Sequence, residues 1–150
     1  MKPLLVGETN PYQSDPRLAQ RYALYPDPPR CAGWNLCHTI MQLDEGEYLR
    51  RFDRVNLCFG HWSLPAARQR AHQLQFDRRK DGQHVFVLFG TRVSSAFTFQ
   101  FVPYTRHEKR WCASLFHYVI LPHPSGLSRA WNEPGAYERA RAVLREADVL

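Results

Sequence analysis

Two short segments, one near each end of the chain, carry the residue types best suited to chemistry. The first is Gly7-Glu8-Thr9-Asn10-Pro11-Tyr12 and the second is His123-Pro124-Ser125-Gly126-Leu127-Ser128-Arg129. In the second, a histidine held between two prolines can stabilise a negative charge that develops on a reacting group. In the first, the Asn10 amide can hold a water molecule or a substrate carbonyl, although Asn-Pro pairs more commonly start turns. Together they could serve an anion and a water molecule, provided that the fold brings them close.

Four short apolar runs predict the strands that would position these segments. Continuous runs rich in β-branched and aromatic residues are typical of strands buried on both faces of a sheet, and they occur at 4–6, 55–58, 85–89 and 118–121. Helices are predicted between and after them, at 34–43, 45–52, 64–79, 91–99 and 136–147, the last with Pro134 in its first turn. The charged run 106–110 is interpreted as a solvated loop. The alternation predicts an α/β fold, a single three-layer domain over residues 1–150 with a four-stranded parallel sheet flanked by helices.

The loop after each predicted strand could contribute to a common site. In open α/β sheets, ligands bind outside the carboxyl ends of the strands. The loop after the second strand contains Ser63, and the third strand is followed by Gly90 at the start of a helix, where backbone N–H groups can face an anion. Four such loops along one sheet edge indicate an active or binding site.

Two further residues have both a structural and a functional interpretation. Asn56 is an amide inside an apolar strand, where it either satisfies neighbouring backbone groups or hydrogen-bonds the edge of a ligand. Leu127 is either packed into the core or an exposed wedge that enters a stack of bases. Ser125, Ser128 and Arg129 beside it are side chains of the kind that bind phosphates.

Charge and length narrow the class of protein. The 150 residues carry a formal net charge of +6, from 20 Lys+Arg against 14 Asp+Glu. An arginine-rich excess suits a polyanionic partner such as nucleic acid, although moderately basic domains are common. No apolar run approaches the roughly 20 residues that span a bilayer, and the apolar N-terminal stretch is too short for a signal peptide. We therefore expect a cytoplasmic protein.

Four cysteines stand at positions 31, 37, 58 and 112, and they form neither a disulfide framework nor a close Cys-x-x-Cys pair. We interpret them as reduced residues that act as buried small hydrophobic groups. A zinc or iron–sulfur site built from Cys31, Cys37, Cys58 and Cys112 is the alternative.

The two end segments together resemble the two motifs of the uracil-DNA glycosylase superfamily. The family's first motif reads Gly-Gln-Asp-Pro-Tyr in the common uracil-DNA glycosylases and Gly-Ile-Asn-Pro-Gly in the mismatch-specific branch. The second reads His-Pro-Ser-Pro-Leu-Ser or Asn-Pro-Ser-Gly-Leu-Ser-Arg, and residues 123–129 blend the two. The resemblance spans nearly the whole chain. It implies a four-stranded parallel sheet flanked by helices and hydrolysis of the bond between a flipped-out base and its sugar.

The resemblance also implies roles for individual residues. Asn10 resembles the residue that positions the attacking water, and His123 the histidine that stabilises negative charge on the departing base. The base would be held by a pocket wall, a stacking aromatic and an edge-reading amide, namely Tyr12, Tyr25 and Asn56. Leu127 resembles the wedge that fills the gap in the stack. The remaining matched residues would contact the DNA: Ser63, Gly90, Ser125, Gly126, Ser128 and Arg129.

The first motif departs from the family in its spacing. It has one residue more between Gly7 and Pro11 than the family patterns, so either Asn10 or Glu8 could position the water, with Asp15 a third candidate. An amide can orient water but cannot deprotonate it. Neither motif contains a lysine, which Schiff-base chemistry needs. The resemblance therefore implies a monofunctional glycosylase that uses no cofactor or metal and leaves an abasic site.

We predict a DNA glycosylase that acts as a monomer on DNA containing a flipped uracil or modified pyrimidine. Its role would be base-excision repair or, on hypermodified phage bases, antiviral defence. Two alternatives remain open. One is a catalytically weak DNA-binding module on the same fold. The other is a hydrolase of free nucleosides, and the affinity of such an enzyme for DNA would show little salt dependence.

Overall fold

The computed structural model describes residues 1–10, 17, 21–79, 82–111 and 113–150. Of Asn10, only the backbone is described. Three residues that the sequence singled out, Tyr12, Asp15 and Cys112, lie outside the described residues.

The described residues form a five-stranded, mostly parallel sheet in the order β2-β1-β3-β5-β4. Its strands are β1 (Leu4–Asn10), β2 (Asp53–Phe59), β3 (Gln83–Phe89), β4 (Thr105–Trp111) and β5 (Ser114–Leu121). The strands β1, β2, β3 and β5 run parallel, while β4 pairs antiparallel with β5 at one edge. The predicted α/β class is confirmed, and each of the four predicted strands lies inside a parallel strand.

The prediction of a four-stranded sheet is wrong, because residues 106–110 belong to strand β4 rather than to a solvated loop. Along β4, exposed residues alternate with half-buried ones, and Arg106, Glu108 and Arg110 face solvent. On the other face, the Lys109 ammonium lies 4.1 Å from the centre of the Phe99 ring. Charged side chains are typical of edge strands because they discourage pairing with another chain. The charged composition of this segment therefore favoured a loop, although its side chains alternate between the two faces of the sheet as in a strand.

Five α-helices and a π-helix lie among the strands in the described part of the chain. They are α1 (Ala32–Trp34), which continues into the π-helix (Asn35–Ile40), then α2 (Glu45–Arg51), α3 (Leu64–Arg78), α4 (Gly90–Ala96) and α5 (Ala136–Glu146). A 3-10 helix covers Arg129–Asn132.

The helix boundaries differ from the predictions at three places. The helix predicted at 34–43 begins at Ala32 and widens into the π-helix. The helix predicted at 91–99 ends at Ala96, because Thr98 adopts a positive φ of 65° that no α-helix continues. Pro134 precedes α5 instead of lying in its first turn, since Gly135, with φ of 78°, separates the two.

The sheet is covered on both faces, as its continuous apolar strands require. One face, including Leu5, Val87 and Val119, packs against the π-helix and α5. The other, including Val6 and Leu88, packs against α3 and α4. Burying an aliphatic side chain of this size stabilises the fold by about 1.5–3 kcal/mol. Within the part of the chain that the structure describes, no helix is long and apolar enough to span a membrane.

The carboxyl ends of the parallel strands meet at one edge of this sheet. Phe89 at the end of β3 lies opposite Leu121 at the end of β5, so the residues that follow, Gly90 and Pro122, are neighbours. At the other side of β1, Asn10 lies opposite Phe59 of β2. The loops predicted to form a site therefore begin along a common edge.

Candidate active site

The loop after β5 is held in place by hydrogen bonds from two other elements. The indole Nε1 of Trp131, in the 3-10 helix, donates to the His123 carbonyl at 2.8 Å. The Asn35 amide, at the start of the π-helix, donates to the Pro124 carbonyl at 3.1 Å. These bonds fix the backbone that directly follows the His123 side chain.

A tight turn follows His123 and presents Leu127 to solvent. The Ser125 hydroxyl accepts a hydrogen bond from the Leu127 N–H at 3.1 Å, and the Ser125 carbonyl accepts one from the Ser128 N–H at 3.0 Å. Leu127 is 93% exposed. Gly126 and Arg129, on either side of this part of the turn, are exposed as well. The prediction that Leu127 is either packed in the core or exposed is thus resolved in favour of exposure.

The same loop fixes the tautomer of His123. Its Nδ1 accepts a hydrogen bond from the Ser125 backbone N–H at 3.1 Å. A ring nitrogen that accepts a hydrogen bond carries no proton, so the neutral imidazole has its proton on Nε2. Burial lowers the pKa of His123 below its ordinary value, while the nearby Glu8 carboxylate acts in the opposite direction. The net lowering favours a neutral ring that donates through Nε2.

Gly90 allows His123 and Glu8 to converge. A Cβ built on Gly90 would lie 3.3 Å from His123 Cβ, 3.8 Å from His123 Cδ2 and 3.6 Å from Glu8 Oε1. Gly90 also has a φ of 90°, which side-chain-bearing residues rarely adopt. Glycine is therefore required here both by its backbone conformation and by the close approach of the imidazole.

An arginine that the sequence analysis missed completes this cluster. Arg92, in the first turn of α4, places its Nη1 3.6 Å from Glu8 Oε2. Its guanidinium carbon lies 5.8 Å from the centre of the Trp62 ring, in the loop between β2 and α3. The only signal in the sequence is that Arg92 follows Gly90 by two positions.

These residues line a cavity of about 330 Å³, which we call the His123 cavity. Its lining includes Glu8, Gly90, Arg92, His123 and Ser128. A histidine whose neutral ring carries an N–H and a glutamate thus line the same cavity. The donor can stabilise an anionic leaving group, and the carboxylate can orient a water molecule and accept its proton.

The structure does not bring every predicted site residue to this cavity. Asn56 is 4% exposed, and its side-chain oxygen lies directly against Gly7 of β1. Because consecutive strand residues point to opposite faces, Asn56 lies on the sheet face opposite the Glu8 side chain. The Tyr25 ring lies over the Arg54 guanidinium, with the cation 5.5 Å from the ring centre. Neither Asn56 nor Tyr25 lines the His123 cavity.

Ser63 is the N-cap of helix α3, and its hydroxyl accepts a hydrogen bond from the Ala66 N–H at 3.4 Å. It lines a second and larger cavity rather than the His123 cavity. Asn10 ends β1, and Tyr12 follows outside the described residues. The choice between Asn10 and Glu8 as the water-positioning group therefore stays a prediction, with Glu8 the one whose side chain lines the His123 cavity.

The three cysteines that the structure describes each contact backbone. The thiols of Cys31, Cys37 and Cys58 donate to the carbonyls of Tyr25, Leu43 and Ser63, each at 3.4 Å. Burial raises the pKa of the Cys37 thiol to about 11. Among the described residues, which do not include Cys112, no group of three or more His, Cys, Asp or Glu side chains could hold a metal ion.

Comparisons with known proteins add no family. In a scan against protein-family models, no family matches this chain, and a search of curated proteins finds no match either.

Proposed function

We propose that this protein is a monofunctional DNA glycosylase that hydrolyses the N-glycosidic bond of a flipped-out uracil or modified pyrimidine. The observation that carries the proposal is the His123 cavity, in which a neutral Nε2–H donor and the Glu8 carboxylate converge beside the turn that exposes Leu127. The proposal includes a uracil-DNA glycosylase-like fold, with β2-β1-β3-β5 as the family's four parallel strands and β4 as an added edge.

The role of His123 follows from the charge that develops on the departing base. As the bond between C1′ and the base nitrogen breaks, its electron pair goes to the base and the negative charge spreads onto a carbonyl oxygen. A fixed N–H donor aimed at that oxygen stabilises the transition state more than the ground state. The hydrogen bond from Ser125 keeps the Nε2 proton in place for this purpose.

The role of Glu8 follows from the charge on the sugar. The deoxyribose becomes cation-like, and a water molecule adds to C1′ while losing a proton. A carboxylate can stabilise the cation and accept that proton, whereas the Asn10 amide could only orient the water. The ion pair with Arg92 holds the Glu8 carboxylate in the cavity for either task.

The exposed Leu127 supports the base-flipping step. A base must leave the stack before its glycosidic bond can be reached, at a cost of a few kcal/mol. An apolar side chain held on a hydrogen-bonded turn can fill the gap that the base leaves. Ser125, Ser128 and Arg129 would bind the adjacent phosphates. In this proposal the enzyme acts as a monomer in the cytoplasm, with no cofactor, and leaves an abasic site.

The test is base release under single-turnover conditions from DNAs that contain uracil, thymine mismatches, 5-hydroxymethyl pyrimidines or glucosylated phage bases. Alkali cleavage reveals the abasic sites. We expect release from one class of base, and that class decides between repair and antiviral defence. His123→Ala should lower the rate about 10²–10³-fold, because it removes one donor to a developing anion.

Two results would contradict the proposal. Silence across the panel with DNA still bound would indicate the DNA-binding module. Hydrolysis of free nucleosides, with DNA affinity that barely responds to salt, would indicate the nucleoside hydrolase.

A further inference from the structure

A second cavity, of about 440 Å³, opens between the end of β2 and helix α3. We call it the Arg70 cavity, and its lining includes Phe59, His61, Ser63, Gln69, Arg70 and Gln73. Of these, only Ser63 is a residue for which the sequence predicted a contact with DNA. The cavity is larger than the His123 cavity, so it has room for a ligand of its own.

Arg70 is the feature that points to a ligand. Arg70 is a half-buried residue of the cavity lining, and it forms no ion pair with any residue that the structure describes. Its Nε is buried without a hydrogen-bond partner, whereas its two Nη groups are not among the buried atoms and are open to an acceptor. A ligand with hydrogen-bond acceptors would supply what the protein does not.

The other walls of the cavity suit a planar ring. Phe59 is an aromatic residue that is 37% exposed at the carboxyl end of β2. Exposed aromatic rings in nucleic-acid-binding proteins stack on bases. Gln73 is held by its own hydrogen bond, from Nε2 to Asp77 Oδ1 at 2.6 Å. Amide and guanidinium groups beside an aromatic surface are the combination that binds the edges of bases.

The two cavities are neighbours along the sheet edge. His61 and Ser63 line the Arg70 cavity, and Trp62 between them lies over Arg92, which lines the His123 cavity. The contact between Trp62 and Arg92 therefore connects the lining of the Arg70 cavity to that of the His123 cavity. A DNA strand with one nucleotide in the His123 cavity could place the next one in the Arg70 cavity.

We infer that the Arg70 cavity binds the base of a nucleotide adjacent to the flipped one, with a preference for guanine. Guanine presents two acceptors, O6 and N7, that match an arginine fork, and this is the commonest specific arginine–base contact. The inference rests on the proposed function, because it takes the strand to be held by the His123 cavity. It gives the enzyme a sequence context.

The test measures binding rather than turnover. The His123→Ala protein is titrated with single-stranded oligonucleotides that carry one central deoxyuridine, and the dissociation constant is read by fluorescence anisotropy. The nucleotide on the 5′ or the 3′ side is dG, another base or an abasic spacer that keeps the phosphate. On one side, replacing dG by the spacer should weaken binding about tenfold. Arg70→Met should reduce that difference to less than about twofold.

Arg68→Met is the matched control, because Arg68 is exposed on the same helix and lines neither cavity. It removes the same charge and should weaken all oligonucleotides equally. Phe59→Ala, at an exposed position, should reduce the dG preference without affecting folding. The inference is overturned if the spacer binds as well as dG, or if Arg70→Met weakens every oligonucleotide to the same extent as Arg68→Met. Failure of the proposed function would look different, since context-dependent binding would persist without base release.

Discussion

The two cavities at the sheet edge differ in how their polar groups are satisfied. In the His123 cavity, the protein pairs its own groups: Ser125 fixes the His123 ring, and Arg92 pairs with Glu8. In the Arg70 cavity, Arg70 forms no ion pair with any described residue. Groups that are oriented before the ligand arrives are what a reaction needs, because they cost no reorganisation in the transition state. A group that lacks a partner is suited to recognition.

The secondary-structure elements that support the two cavities differ as well. The His123 cavity is built where β1, β3 and β5 end, next to each other inside the sheet. The Arg70 cavity lies between β2, which is an edge strand, and the exposed side of α3. Reacting groups must be held within about 0.5 Å of their productive geometry, and the hydrogen bonds from Trp131 and Asn35 that anchor the His123 loop serve this requirement. Substitutions should therefore affect turnover in the first cavity and affinity in the second.

We expect Glu8→Gln to have the largest effect that distinguishes the roles of the two cavities, a lower turnover rate with unchanged DNA affinity. If Glu8 accepts a proton from water, the single-turnover rate should fall about 10²-fold, since an amide cannot act as a base. DNA affinity should stay within about twofold, in contrast to Arg70→Met. The measurement is base release beside anisotropy on the same substrate. Asn10→Ala provides the comparison: a normal rate for Glu8→Gln with a large loss for Asn10→Ala would assign the water to Asn10.

Leu127→Ala should have a smaller effect that concerns neither cavity directly. We expect about tenfold slower release from duplex DNA and nearly unchanged release from single-stranded DNA, because only the duplex has a stack to fill. The free energy of unfolding should change by less than about 0.5 kcal/mol, since the side chain is almost fully exposed. Equal rates for wild type and variant on duplex DNA would rule out the wedge role.

From the sequence alone, the parallel strands and the His123 cavity could be predicted better than the Arg70 cavity. Apolar runs located four strands because burial on both faces needs continuous hydrophobic residues. His123 could be singled out because its neighbours in sequence, the prolines and Ser125, are also its neighbours in space. Arg92 and Arg70 could not be predicted as site residues, because each lies on a helix, where an arginine is common. Their significance depends on which strand end and which loop the helix meets.

The edge of the sheet was the least predictable part of the fold. Strand β4 carries alternating charges, and such a pattern equally fits a solvated loop until a partner strand is known. Asn56 shows a related limit. Its unusual position in an apolar strand is evident from sequence, but only the packing against Gly7 reveals which face it occupies.

The smallest predicted effect concerns the charge around His123. Burial lowers its pKa and the Glu8 carboxylate partly offsets this, so Glu8→Gln should lower the His123 pKa further. A group whose pKa is depressed by folding contributes full stability above its unfolded pKa and loses it as the pH falls. The Glu8→Gln protein should therefore lose more stability than the wild type on acidification. NMR titration of the His123 ring measures the pKa directly, with Arg70→Met as a control that should leave it unchanged. A rise in the Glu8→Gln protein would mean that the carboxylate does not face the imidazole in solution, and the two groups could then not serve one reaction.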